Sequence, residues 1–154
     1  MKLSLWTIGK PHEPYVKQGI EEFTDRIGRY FPVEWKIFPT PKHSNEEQLK
    51  KAEAIMILEA LGKDDHLVVL DEKGKMFSSE TLAEFIQLRA NESTQKIVFL
   101  IGGAYGVDQS VMLKARTKWS LSALTFPHQL VRLILAEQLY RACTILRNEK
   151  YHHR

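Results

Sequence analysis

The sequence predicts an α/β domain: a largely parallel sheet with helices on both faces. Three observations carry that reading. Strand-like and helix-like segments alternate along the whole chain, the pattern produced by crossover helices between parallel strands. Two strand-like segments, 66–70 and 96–101, are nearly continuous apolar runs, as strands covered on both faces must be. Glycine, proline or charged residues punctuate the ends of the strand-like runs and mark the turns.

Taken in order, residues 3–8 (Leu-Ser-Leu-Trp-Thr-Ile) read as a first strand, closed by Gly9, Lys10 and Pro11. Over 13–30, Val16, Ile20, Phe23, Ile27 and Tyr30 recur at helical spacing and predict an amphipathic helix. Residues 33–38 alternate again as a second strand, followed by a Pro-Thr-Pro-Lys-His loop. Ser44 with Glu47 three residues on has the form of a capping box, opening a helix that runs to about Leu61, with Gly62 as its stop. The buried strand 66–70 runs into a charged turn at 71–75, and Ser78 or Ser79 caps a helix to about Ala90. The second buried strand, 96–101, leads into Gly102-Gly103-Ala104-Tyr105-Gly106, and 108–115 reads as a short helix. A fifth strand at 118–121 is followed by the loop 121–128 and by a helix over 129–146 that has little polar face. A helix apolar nearly all round must be covered on two sides, by the sheet and by either a second subunit or another helix of the chain.

Composition narrows the class. A chain of 154 residues, 44% hydrophobic and 27% charged, matches one soluble globular domain spanning 1–154. No apolar run reaches the ~18 residues a membrane crossing needs, and the N-terminal run is too short for a secretory signal; a cytoplasmic protein is expected. The single cysteine, Cys143, has no internal partner and falls in the apolar helix as a buried thiol. A net charge of +3 with a pI near 8.9 permits an RNA partner without requiring one.

In parallel sheets ligands bind beyond the carboxyl ends of the strands. Three segments qualify: Leu70-Asp71, Ile101-Gly102-Gly103 and the stretch from Leu121 to Phe126. Glycines there allow positive φ and close approach of a ligand to the backbone, or else tight packing. The last stretch, Leu121-Ser122-Ala123-Leu124-Thr125-Phe126, is small and polar, and Pro127 stiffens it; it reads as a small-molecule seat or an ordinary strand-to-helix connection. Gly102, Gly103 and Gly106 give G-G-x-x-G, so the dinucleotide fingerprint is absent, as are the Walker A, G-x-S-x-G and zinc-ligand spacings. The tail (Tyr151, His152, His153, Arg154) is either solvent decoration or a functional set: a stacking aromatic, imidazoles that titrate near neutrality and a phosphate-seeking arginine.

Ile101-Gly102-Gly103-Ala104-Tyr105-Gly106, the stretch from Leu121 to His128, Val131-Arg132, the run from Glu137 to Ala142 and the Tyr151-His152 ending together resemble the ribosomal RNA large subunit methyltransferase H family of the SPOUT class. The similarity extends over nearly the whole chain. It implies an α/β fold whose C-terminal part forms a deep trefoil knot, an exception to unthreaded connections. It also implies S-adenosylmethionine (AdoMet) held largely by backbone groups at Leu70, Gly102, Gly103 and Leu121, Ser122, Ala123, Leu124, Thr125 and Phe126. The family acts as a homodimer on N3 of a pseudouridine in 23S rRNA of the assembled ribosome, and needs no metal. Methyl transfer depends on alignment and on a base for the weakly acidic N3–H. His152, His128 and His153 are candidate bases, Tyr151 a positioning group, and Arg132, Arg141 and Arg154 candidate grips on RNA; Arg132 and Arg141 have structural pairing with Glu137 as their alternative. The rival functions are another SPOUT enzyme acting on a tRNA base or ribose, a nucleotide-dependent oxidoreductase, which the missing fingerprint disfavours, and a non-catalytic dimeric nucleotide-binding module.

Overall fold

The computed structural model describes residues 1–153. Five strands, β1 (Lys2–Ile8), β2 (Val33–Phe38), β3 (His66–Met76), β4 (Lys96–Ile101) and β5 (Thr117–Ser120), form one sheet in the order β2-β1-β4-β3-β5. Every pairing is parallel. The connecting helices are α1 (Pro14–Ile27), α2 (Glu46–Ala60), α3 (Ser79–Asn91), the short α4 (Gln109–Met112) and α5 (His128–Leu146).

The period of two along each strand divides the core. Leu3 and Leu5 of β1, Val68 of β3, and Ile97, Phe99 and Ile101 of β4 face one layer, with Ile27 of α1, Leu82 and Ile86 of α3, and Leu135 and Leu139 of α5. Trp6, Ile8, Leu67, Val69, Val98 and Leu100 face the other, with Ala54 and Ile57 of α2 and Val111 of α4. Both faces are therefore covered, as the apolar runs require. α5 lies between α1 and α3, and Leu133 packs so closely on α1 that a Cβ at Gly19 would sit 2.8 Å from its Cδ1. Much of the cover for α5 thus comes from its own chain, although Leu130 and Ile134 stay only half-buried.

Local chemistry corrects several boundaries. The charged segment after Leu70 is not a turn: β3 continues to Met76, with a register shift opposite β5 between Leu70 and Lys75. Gly74 makes the second contact with β5 possible, because a Cβ there would meet the Lys118 carbonyl carbon at 2.5 Å. The cap of α2 is Asn45, whose side chain accepts from the Gln48 N–H, whereas the Ser44 hydroxyl is turned onto the Gln48 side chain and Glu47 takes no part. Gly62 follows α2 without positive φ; the helix stops because Leu61 turns extended. Ser78, not Ser79, caps α3 through the Thr81 N–H. α4 is one turn, held by Asp108 on the Ser110 N–H.

Candidate cofactor cleft

β4, β3 and β5 are neighbours and parallel, so their carboxyl ends open side by side on one edge of the sheet. The three following segments enclose a cavity of about 560 Å³. That is the size range of small-molecule sites. Of the nine residues the sequence proposed as a cofactor seat, eight line it: Leu70, Gly102, Gly103, Leu121, Ser122, Leu124, Thr125 and Phe126. Ala123 is exposed and not in the wall. Asp71, part of the Leu70-Asp71 segment expected to meet a ligand, lines it too; so do Glu72, Tyr105, Val107, Trp119 and Val131, which the sequence does not single out as cofactor contacts. Trp119 was the most findable, as the large apolar residue two before Leu121 in a strand already aimed at the site.

The walls are held by short local bonds. The Ser120 hydroxyl donates to the Ser122 carbonyl at 3.1 Å, and the Ser122 hydroxyl accepts from the Leu124 N–H at 3.0 Å. Gly102 and Gly103 are not needed for positive φ, which in this turn falls on Gly106 at 85°. They are needed for closeness: a Cβ on Gly102 would lie 2.5 Å from Val107 Cγ2, and one on Gly103 would lie 2.5 Å from Glu53 Oε2. The cleft suits AdoMet in kind, with apolar surface from Leu70, Ile101 and Phe126, backbone groups of two glycines, and a buried indole N–H on Trp119 that has no acceptor among the described residues. Leu124 and Tyr105, 72% and 49% exposed, stand free as large apolar groups in the lining.

His128 opens α5 against this wall. Its Nε2 lies 2.9 Å from the Gly102 carbonyl and 3.5 Å from Thr7 Oγ1, so in that tautomer the imidazole donates and ties the glycine turn to α5 and β1. Burial holds its pKa below the usual imidazole value, against the opposing pull of the Gly102 bond. Arg132 is 1% exposed and points away from the cleft lining: Nη1 donates to the Lys10 carbonyl at 2.9 Å and approaches His12 Nδ1 at 3.3 Å. It does not pair with Glu137; Arg141 does, at 2.8 Å.

The tail docks along α5. The Tyr151 hydroxyl donates to Glu137 Oε2 at 2.8 Å, Arg141 Nη1 lies 3.0 Å from His152 Nδ1, and His152 Nε2 lies 3.4 Å from Glu80 Oε1. Burial and the Glu137 carboxylate raise the Tyr151 pKa. His153 is exposed, and Arg154 lies outside the described residues. Glu137 is nine residues past His128, roughly 13 Å along the helix axis. None of Tyr151, His152 and His153 is in the cleft lining of its own chain.

Residues 1–152 match the family model described as Predicted SPOUT methyltransferase. Curated relatives named Ribosomal RNA large subunit methyltransferase H align end to end. The protein of Cytophaga hutchinsonii is 46% identical over 99% of this chain and 100% of its own length. That of Christiangramia forsetii is 44% identical over all of both chains. That of Bacillus pumilus is 42% identical over 99% of each. The chain belongs to the ribosomal RNA large subunit methyltransferase H family of SPOUT methyltransferases. A solved structure, a probable methylase family protein from Haemophilus influenzae, shares the fold with a TM-score of 0.54 at 11% identity, over 95% of this chain and 66% of that one. The cleft is built by post-strand loops, and no nucleotide fingerprint takes part in it. No helix among the described residues is long and apolar enough to cross a membrane, and no cluster of three metal-ligating side chains occurs among them.

Proposed function

We propose that this protein is a cytoplasmic AdoMet-dependent methyltransferase of large-subunit ribosomal RNA, with N3 of a 23S rRNA pseudouridine on the assembled ribosome as acceptor. The observation that carries the reading is the cleft itself: eight of nine family cofactor positions converge on one cavity at the ends of three adjacent parallel strands. The printed name of the full-length relatives supports the RNA class. When bound, AdoMet supplies an electrophilic methyl group on a cationic sulfur.

Leu70, Gly102, Gly103 and the 121–126 loop hold and orient the donor, and Leu124 and Tyr105 exclude water once RNA covers the mouth. The N3–H of the target base needs a proton acceptor in reach. His128 is held by Gly102 and His152 by Arg141 and Glu80; the base role is assigned to His152, which must leave one of those contacts to accept the proton, with Tyr151 positioning the nucleobase and Arg154 and Arg141 gripping its oxygens or a phosphate. Arg132 supports the His12 loop from inside. Because Tyr151, His152 and His153 do not line the cleft of their own chain, the reading includes a homodimer in which the tail of one copy meets the cleft of the other. The trefoil knot belongs to the same reading: the chain from β5 through the 121–126 loop and α5 is the segment it would thread.

The test is transfer of labelled methyl from AdoMet to ribosomes from cells lacking the modification. Label in large-subunit RNA at the pseudouridine is the expected result. Tight AdoMet binding without label would end the substrate assignment. Mixing a tail-truncated chain with a Gly103-substituted chain checks the shared site: each alone is inactive, and the mixture regains part of the activity. A mixture as inactive as its parts would place the whole site in one chain.

A further inference from the structure

We propose that Glu53 is a charge-selective residue of the cofactor cleft. Set behind its glycine wall, the carboxylate favours the cationic methyl donor over the uncharged-sulfur product. This rests on the AdoMet reading above.

Leu49, Glu53 and Ile57 recur every four residues on the buried face of α2, so a carboxylate occupies a position on the core stripe. As a residue Glu53 is 5% exposed, and it has neither a hydrogen-bond donor nor an ion-pair partner among the described residues. With no protein partner, the carboxylate depends for its solvation on the small cleft behind the glycines, which it lines. Its oxygens press on the back of Gly103, where a Cβ would come within 2.5 and 2.7 Å of them. Gly103 is at the same time a wall of the cleft. The partition between Glu53 and a bound ligand is thus one backbone thick, and any side chain at Gly103 would push the two apart.

The other charged groups do not satisfy Glu53. Lys50 and Asp108 border the small cleft behind the glycines without reaching ion-pair distance, and His43 acts only weakly from the preceding loop. Burial raises the Glu53 pKa, which leaves the group responsive to a nearby cation. Asp71 and Glu72 also border the main cavity, Glu72 exposed and Asp71 only partly covered, so solvent screens them more than Glu53.

The two ligands differ in the charge that such a group reads. In the transfer the S–CH3 bond breaks, the N3–CH3 bond forms, and the N3–H proton leaves to the base. The sulfur regains its electron pair as a neutral thioether. Attraction to Glu53 exists before transfer and vanishes after it, which promotes release of the product.

The test is titration calorimetry of the full chain with AdoMet and with S-adenosylhomocysteine. Glu53→Gln keeps the shape and removes the charge. The expected result is that the preference for AdoMet over the product falls by about tenfold in the variant. Equal weakening of both ligands would mean a structural role and overturn the proposal. Because burial raises the Glu53 pKa, AdoMet binding to wild-type protein, followed stepwise through the acid range, should release protons, seen as a dependence of heat on buffer ionisation enthalpy, while product binding should release none. Equal release with the two ligands overturns the proposal even if the variant does not fold, and release that persists in Glu53→Gln assigns it to another group. Absence of any AdoMet binding to the wild type would remove the underlying reading and this inference with it, an outcome distinct from the others.

Discussion

At Gly103 a single missing methyl sets the geometry of the cleft. Gly103→Ala puts a Cβ against the Glu53 carboxylate and should destabilise the fold by about 1–3 kcal/mol as overpacking. In a Glu53→Ala background the same change should cost much less, and urea unfolding of the four chains measures the coupling. Additive effects would show that the close contact is not energetically real. His66 gives a second residue-level expectation. Burial, then the charges of Arg89 and Arg116, pull its pKa down to about 4, and its Nε2 lies 3.0 Å from Thr117 Oγ1. The folded state prefers the neutral ring, so its contribution is complete above the unfolded pKa of about 6.5 and is lost as pH falls through about 4. Denaturation midpoints over that window should drop, and His66→Gln should flatten the slope; the residue left to titrate would be His12 and His128, which are also held low.

At the scale of elements, the extension of β3 past Leu70 is the feature that brings β5 into place. Its second pairing, Lys75 with Trp119 and Met76 with Ser120, fixes the start of the 121–126 loop. Gly74→Ala places a Cβ 2.5 Å from a backbone carbon and 2.7 Å from the Trp119 nitrogen, where no side chain can turn aside. A loss of about 1–3 kcal/mol in stability is expected, together with weaker AdoMet binding, because β5 and its loop shift together. Unchanged affinity in a destabilised variant would separate the strand from the site. α5 acts differently: its N-terminal turn anchors the cleft through His128, and its C-terminal half carries the Arg141–Glu137–Tyr151 cluster.

At the scale of the molecule, one helix carries His128 at its start and the Glu137–Tyr151 contact in its second half, and Tyr151, His152 and His153 are not in the cleft lining. The proposed homodimer would bring the tail of one copy to the cleft of the other, and sedimentation at micromolar concentration should give twice the chain mass. Truncation after Lys150 should abolish methyl transfer while AdoMet affinity holds within about twofold, since Tyr151, His152 and His153 are not in the cleft lining. A monomer that transfers methyl groups normally would contradict both expectations.

Strand and helix order was legible in the sequence because periods of two and 3.6 are written in side-chain polarity. Apolar runs at 67–70 and 97–101 announced strands covered on both faces, and the loops after them announced the cleft. The family resemblance named the cofactor proposed for it. What polarity does not encode is distance between segments remote in sequence. Only the tertiary structure decided that 71–76 is strand, because its pairing depends on a glycine meeting the backbone of β5 forty-odd residues away. Only it set Glu53 against Gly103, fifty residues later in the chain, and turned Arg132 inward to Lys10. Such contacts follow from how strands and helices stack, and that stacking is settled by the fold as a whole.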